Sequence, residues 1–488
     1  MYLLFLLIVN VKKTKVNEVL TIMSNILGKR RVALHNLGCK VNGYELEVME
    51  QKLVSAGCSI VPFDEKADIY IINTCTVTNI ADRKSRQMLH RAKKENPEAV
   101  VVAVGCYVET GMDGVKKDDS IDLAVGNNKK GEIVEILEEF YRARGEAVNE
   151  ETGSLNAGEG SDKTLGGLSV IDINNTHDYE EMKLTALPEH TRAFIKIQDG
   201  CNQFCTYCVI PYARGRVRSR DKEDILAEVE GLALLGCKEV VITGIHVGSY
   251  GIDRGEPELI DLLERMDEIE GIERIRLGSV EPRLMNEENV KRLSGLKKLC
   301  PHFHLSLQSG CDSVLKRMNR HYTTDDFKRS VELLRQAFDK PAITTDVIVG
   351  FPGETDEEFD ECRRFVEDIG FYEMHVFKYS PRKGTVAASM PGQLTDRIKS
   401  KRSSVLLDIT HRASTEYRKD FIGKEVSVLW EDEEEIGGRK YMVGYTDRYV
   451  RVAAPIEDKK EKNISGEISR VIPVSMPDET TLGIVEII

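Results

Sequence analysis

The chain reads as an α/β protein in three blocks: a doubly wound parallel sheet, an open TIM-like (βα)6 barrel, and a small antiparallel β-barrel. Three observations carry that reading. Apolar runs rich in Val, Ile and Ala alternate with amphipathic helical stretches between Arg31 and Asp420, as parallel βα units require. Polar, Gly-containing motifs recur just after the strand-like runs of the second half, where a parallel barrel collects its functional loops. Beyond Phe421 the apolar period changes to two, broken by glycine turns, as in a small closed sheet.

Residues 1–30 open on "MYLLFLLIV", too short to span a bilayer and without a preceding positive charge or a clear cleavage site. They are expected to be a disordered extension, with Met23 as a second possible start, and no membrane role is expected. Residues 31–144 form the first block. Its strands are "RVALHNLG", "ADIYIINT", "EAVVVAVG" and "SIDLAVGN", and the helical stretch "YELEVMEQKLVSAG" ends on Gly57. Residues 145–187, rich in Gly, Ser, Asn and acids, read as a linker or mobile insertion. Residues 188–420 carry "RAFIKIQ", "EVVITG", "RIRLGSV", "HFHLSLQ", "TTDVIVG" and "YEMHVFKYS", most gaps being filled by helices such as "DKEDILAEVEGLALLG". Residues 421–488 supply the alternating strands of the last block.

At 488 residues, 41% hydrophobic and 31% charged, the chain has length for several cored domains and no bias toward a disordered or fibrous class. Eleven cysteines in so long a chain are not a secreted disulfide scaffold. They fit a reducing cytoplasm with some thiols reserved for metal. The net charge of −13 argues against indiscriminate polyanion binding. The acids concentrate in Gly145–Leu187 and Phe421–Ile488, so a local basic surface elsewhere remains open.

Two cysteine sets stand out. Cys201, Cys205 and Cys208 follow the first barrel strand with the spacing C-x3-C-x2-C. Thiolates suit zinc or an iron–sulfur cluster. Zinc would want a fourth ligand, and no Cys or His lies close by in sequence, only His246 and His304 through space; three ligands make sense if one iron of a [4Fe–4S] cluster stays open to a small molecule. Cys39, Cys75 and Cys106 each sit at or just past the end of a predicted strand of the first block, so a parallel sheet brings them to one edge. Cys58, Cys237, Cys300, Cys311 and Cys362 read as small buried hydrophobes.

"CNQFCTYC" resembles the signature of radical S-adenosylmethionine (SAM) enzymes. The resemblance implies that the SAM amine and carboxylate chelate the open iron, and that an electron from the cluster cleaves SAM to a 5′-deoxyadenosyl radical. It places Tyr207 near the adenine. Gly244, in "ITGIHVGSYG", corresponds loosely to a glycine motif near the SAM amine, although the usual Gly-Gly-Glu is absent; Ser279 and Gln308 complete the SAM-binding candidates. The whole order resembles the methylthiotransferases, through "LGCKVNGYELE", "NTCTVTNIADRKSRQ", "GCYVE", "LSLQSGCDSVLKRMNR" and "GFPGETDEEF". That family implies a second, auxiliary [4Fe–4S] cluster on Cys39, Cys75 and Cys106, a TRAM-like RNA-binding C-terminal barrel, and SAM as both methyl donor and radical source.

"LGCKVN" and "NTCTVTNIADRKSRQ" look like the branch that methylthiolates C2 of N6-threonylcarbamoyladenosine at position 37 of tRNA. Implied partners are the tRNA anticodon loop and a reductant such as flavodoxin or ferredoxin. Arg214, Arg216 and Arg218 alternate along a segment that would put them on one side for phosphates or a substrate carboxylate, or else pair internally. Arg382 and Arg448 are further RNA candidates, and the tyrosines Tyr441, Tyr445 and Tyr449 offer stacking surfaces. "KRMNRHY" reads as an ordinary exposed helix end. Alternatives are a methylthiotransferase acting on isopentenyladenosine or on a ribosomal-protein aspartate, lipoyl-synthase-like sulfur insertion, and a non-catalytic iron–sulfur scaffold or electron carrier.

Overall fold

The computed structural model describes residues 26–145, 167–188, 191–456 and 464–487. Residues 1–25 of the expected extension and 146–166 of the expected linker lie outside the described residues. Contacts divide the chain into two units. Of the described residues, the first holds those up to Thr176 together with Glu180–Lys183 and Tyr212–Arg214; the second holds His177–Tyr179 and the rest of the described chain from Leu184 onward.

The first unit is built on a parallel sheet of β1 (Arg31–Asn36), β2 (Ser59–Ile60), β3 (Ile69–Thr74), β4 (Val100–Gly105), β5 (Leu123–Val125) and β6 (Gly167–Ser169), in the order β2-β1-β3-β4-β5-β6. β3 and β4 are buried along their whole length, which is why both read as unbroken apolar runs. Helix α1 (Lys40–Ser55) follows β1, α2 (Asn79–Glu95) follows β3, and α3 (Cys106–Thr110) follows β4. α2 starts where Thr78 accepts a hydrogen bond from the Ala81 amide, and it buries Ser85, Leu89 and Ala92. The segment read as a linker is not one throughout. Gly167–Ser169 pairs in parallel with Leu123–Val125 as an edge strand. Three residues bounded by Gly and polar side chains carry no readable period, so the pattern passes over them.

In the second unit, β7 (Arg192–Asp199), β8 (Arg218–Ser219), β9 (Glu239–Gly244) and β10 (Arg274–Leu277) form a sheet ordered β10-β9-β7-β8, in which only β8 is antiparallel. β11 (His302–Gln308), β12 (Ala342–Val349) and β13 (Glu373–Lys378) form a second sheet, parallel throughout. Single bridges, Ile275 to Leu299 and Val280 to Leu305, link the two. All six expected strands are present in sequence order; β8 was not foreseen. Helices such as Lys222–Leu234 and Thr324–Ala337 lie between the strands.

After the helix Asp396–Lys419, β14 (Val426–Ile436), β15 (Arg439–Thr446), β16 (Arg451–Pro455), β17 (Ile468–Asp478) and β18 (Thr481–Ile487) close a barrel in the order β14-β15-β16-β18-β17 around buried Trp430. It is not wholly antiparallel as expected. The β17–β18 hairpin returns the chain beside β16 in the same direction, so that seam is parallel.

The barrel docks on the first residues of the parallel strands. Arg274 donates to Ser427 O at 2.7 Å and Tyr445 O at 3.0 Å, and Arg276 donates to Asp447 O at 2.8 Å. Arg192 pairs with Glu431 at 2.8 Å, and the His302 ring stacks on Tyr449 at 5.4 Å. Glu239, buried among Arg192, Arg274 and Arg276, sits below the ordinary carboxylate range: burial alone would push it up, but the three guanidinium charges outweigh burial.

Candidate functional site

The loop after β7 carries Cys201, Cys205 and Cys208 beyond the C-terminal end of the strand. Its backbone is tied at several points. Cys201 N donates to Gly215 O at 3.0 Å, Thr206 N to Met318 O at 3.0 Å, and Cys208 N to Cys205 O at 2.9 Å. Gly200 turns with φ of 70°, and a Cβ there would lie 1.8 Å from the Arg216 carbonyl oxygen, so only glycine fits. Burial, joined by the neighbouring Cys205, pushes the Cys201 thiol up to about 11 and the Cys208 thiol up to about 12. Cys201 and Cys208 thus hold their protons until a cation displaces them, which suits metal ligation.

Arg320 completes this environment. Its Nη1 donates to Cys205 Sγ at 3.1 Å, its Nη2 to Glu281 Oε1 at 2.8 Å, and its Nε to the Tyr322 hydroxyl at 3.1 Å. Glu281 also faces His246 Nε2 at 3.4 Å. Burial opposes ionisation of Glu281, but the His246 hydrogen bond and charge, with Arg320, hold it below the usual range. "KRMNRHY" is therefore more than an exposed helix end: its Lys316 is exposed, while the Arg320 side chain is 7% exposed. Local patterning missed it because its partners lie 115 and 39 residues away.

The first unit brings the other three cysteines to one sheet edge. Cys39 caps α1 after β1, Cys75 directly follows β3, and Cys106 follows β4 as the first residue of α3. These three strands are neighbours in the sheet, as the sequence led one to expect. A Cβ on Gly38, at φ of 117°, would lie 3.0 Å from Cys75 Cβ, so glycine lets the Cys39 loop approach Cys75. Burial, aided by Cys106 and Cys39 and opposed by the Val77 amide and Arg214, raises the Cys75 thiol to about 11. Behind this edge lies a buried polar network. Glu45 takes both nitrogens of Arg214, at 2.8 and 3.0 Å, and pairs with Lys130. Arg214 also donates to Asn42 Oδ1 at 2.6 Å, and Asn42 Nδ2 reaches Leu37 O at 2.7 Å and Thr74 O at 3.0 Å, the chain on either side of the cysteine loops.

The arginines expected on one open face divide. Arg214 and Arg218 are fully buried, Arg214 on Glu45 and Arg218 within 3.7 Å of Asp199, so neither offers a phosphate or carboxylate site. Burying a guanidinium without an acid is too costly, so each takes an internal partner. Arg216 is half-buried over the Phe204 ring at 4.5 Å. Arg382 is buried in the loop after β13. Arg448 is spent on Asp447 at 3.0 Å and on the Asp339 carbonyl at 2.7 Å, while Tyr445 and Tyr449 stack on each other at 5.0 Å. Of the expected SAM-binding residues, Tyr207 packs edge-on to Phe351 at 6.4 Å. Gly244 ends β9 against Gln198, whose side chain holds the His246 amide at 2.8 Å. Ser279 is exposed, and Gln308 ends β11 at a register shift with φ of 67°. Unforeseen is a polar group on three adjacent strands: His304 Nε2 lies 3.3 Å and His375 Nδ1 3.4 Å from the two oxygens of Asp346, which is held below the ordinary range because the two imidazoles outweigh burial.

Comparison with known proteins identifies the family. Residues 195–366 match the Radical SAM superfamily and residues 31–126 the Uncharacterized protein family UPF0004. The chain is 38% identical over 442 residues to the threonylcarbamoyladenosine tRNA methylthiotransferase MtaB of Bacillus subtilis (strain 168), covering 90% of this chain and 93% of that protein. It is 39% identical to the protein of that name from Aquifex aeolicus (strain VF5), covering 84% and 95%. The tRNA-2-methylthio-N(6)-dimethylallyladenosine synthase of Alkaliphilus oremlandii (strain OhILAs) is 33% identical, with 85% and 84% covered. Among solved structures, the radical SAM methyltransferase TsrM of Kitasatospora setae shares the fold at a TM-score of 0.51 and 16% identity, over 72% of this chain and 73% of that one. No helix of the described residues is long and apolar enough to cross a membrane. The donor chemistry of each three-thiol set suits an iron–sulfur cluster, and with SAM and two [4Fe–4S] clusters as its cofactors, this transferase belongs to the radical SAM methylthiotransferase family.

Proposed function

We propose that the protein methylthiolates C2 of N6-threonylcarbamoyladenosine at position 37 of tRNA, reached in the anticodon loop. The observation that carries this is identity of 37–39% to relatives named for that nucleoside, spread over at least 84% of the chain. Relatives named for dimethylallyladenosine stand at 33–35%. Both three-cysteine sets support the chemistry.

When bound, the cluster on Cys201, Cys205 and Cys208 with SAM supplies the hydrogen-abstracting radical, and the cluster on Cys39, Cys75 and Cys106 supplies the sulfur. The chain's own residues do the rest. Arg320 neutralises charge at Cys205 and holds Glu281 as a carboxylate in a partly dry pocket. Tyr207, Gly244, Ser279 and Gln308 line the SAM side. Arg216, held over Phe204, is the candidate for the substrate carboxylate, since Arg214 and Arg218 are paired within the fold. The six parallel strands are read as an open TIM-like barrel and the C-terminal barrel as TRAM-like. Domains are proposed at 31–144, 188–420 and 421–488, in a cytoplasmic enzyme served by a flavodoxin or ferredoxin.

Reconstituted enzyme with SAM and reductant should convert tRNA bearing threonylcarbamoyladenosine to its 2-methylthio form, read by nucleoside mass spectrometry. It should neglect tRNA bearing isopentenyladenosine, which lacks the carboxylate and hydroxyl that a polar pocket would pair. Equal turnover of both substrates, or turnover of a ribosomal-protein peptide alone, would overturn this reading.

A further inference from the structure

Helix α2 presents a basic stripe that the cluster chemistry does not use. Its sequence, NIADRKSRQMLHRAKKE, sets Arg83, Lys84, Arg86, Arg91, Lys93 and Lys94 against Asp82 and Glu95. The whole chain, by contrast, carries −13. At about 100° per residue, Arg83, Lys84, Arg86, His90, Arg91 and Lys94 share one side of the helix, and all six are exposed. Ser85, Leu89 and Ala92 occupy the buried side. Lys93 is drawn off to Asp122 at 2.7 Å and Arg91 to Glu95 at 3.5 Å. Arg83, Lys84, Arg86 and Lys94 have no carboxylate partner among the described residues. Arg86 only approaches the Tyr107 ring, at 5.9 Å.

The stripe's place in the chain matters as much as its charge. α2 follows β3 through the turn that holds Cys75; this turn exposes Val77 at 51%, and the first turn of α2 exposes Ile80 at 57%. His90 faces Asp118 at 3.1 Å, but the four cations left without a carboxylate partner run along a face about 16 Å long, headed by apolar groups beside Cys75, and this fits a nucleic-acid strand: phosphates along the helix and an unstacked nucleotide against its start. The cations of the C-terminal barrel are more often offset by acids: Arg451 is paired with Glu434 at 2.7 Å and Arg470 with Glu425 at 3.2 Å, and the exposed Arg439 and Lys440 of β15 stand across from the acidic end of β14, Glu433 to Glu435.

We propose that α2 is the surface on which the tRNA sugar–phosphate backbone docks, with Val77 and Ile80 against an unstacked nucleotide. This rests on tRNA being the substrate. It is tested with the reconstituted holoenzyme and tRNA bearing threonylcarbamoyladenosine, by measuring Kd across a KCl series for the wild type and for the triple variant Arg83→Ala, Lys84→Ala, Lys94→Ala. Each lost phosphate contact removes about 0.7–0.9 from the salt slope, so the triple variant should lose roughly two from the slope and bind at least about tenfold more weakly near 150 mM salt. Iron content equal to wild type shows that the variant is folded. The double variant Arg83→Lys, Arg86→Lys keeps the charge and should keep the slope. An unchanged slope and Kd in the triple variant would overturn the proposal. So would intact tRNA binding with slowed cluster reduction by an acidic flavoprotein, which would make α2 a reductant's docking face. Stripe-dependent binding without methylthiolation of that tRNA would uphold the docking surface and sink only the substrate assignment.

Discussion

Replacing Arg320 with Met should lower the reduction potential of the cluster held by Cys201, Cys205 and Cys208. The guanidinium donates to Cys205 Sγ at 3.1 Å and its side chain is 7% exposed, so water screens it little. A unit charge about 6 Å from the cluster centre, at an effective dielectric of about 20, contributes about 3 kcal/mol. For a one-electron couple that is a downward shift of about 120 mV. Glu281 answers the change: without Arg320 at 2.8 Å it keeps His246, Gln203 and the more distant charge of Arg283, and any proton it takes up removes a negative charge and returns part of the loss. The net expectation is a fall of about 60–120 mV. The assay is a redox titration followed by electron paramagnetic resonance, in protein whose Cys39, Cys75 and Cys106 are all changed to Ala so that one cluster reports. Arg320→Lys keeps the charge and should stay within about 30 mV of the parent. A Met variant with full iron and an unchanged potential would refute the reasoning, as would a Lys variant falling as far as Met.

Further outcomes are expected. The reconstituted chain should hold about eight irons and eight sulfides, and changing either cysteine triple to Ala should halve both in iron and sulfide assays; only loss of Cys201, Cys205 and Cys208 should abolish SAM cleavage. Gly200→Ala places a Cβ 1.8 Å from a carbonyl oxygen, so it should lose the Cys201 loop's cluster while the other cluster's spectrum persists. Glu358 is held down to about 2, chiefly by its hydrogen bonds with Arg317, with burial opposing. Because its folded pKa is depressed, this stability is present above the unfolded glutamate pKa near 4.5 and fades as pH falls toward 2. The pair is partly exposed, so the gain is about 1 kcal/mol, and in acid unfolding of the cluster-free protein Glu358→Gln should differ from wild type above pH 4.5 and converge with it near pH 2.

What was legible in the sequence was what local period and strand-end position encode. β1, β3 and β4, and the convergence of Cys39, Cys75 and Cys106 on their ends, followed from apolar runs and parallel topology alone. The fate of the charged residues did not. Arg214, Arg216, Arg218 and Arg220 alternate as if lining one open side, yet Arg214 pairs with Glu45, 169 residues away, and Arg220 with Glu228, eight residues on. Such pairings are set by tertiary proximity, to which a single sequence is blind. Tyr445 and Tyr449 misled for the same reason: a tyrosine made for stacking on a base and one stacked within the fold look alike until the neighbours are known.

The docking of the last barrel on Arg192, Glu239, Arg274, Arg276 and His302 bears on how the chain can be shortened. Cutting at Phe421 would remove Glu431 and the carbonyls of Ser427, Tyr445, Thr446 and Asp447, leaving three arginines around a single glutamate and open to water. The strands begin at that layer and carry the Cys201 loop at their far end. A shortened chain would thus fray from the foot of its strands, and its loss of cluster would report a missing keystone rather than a missing RNA contact.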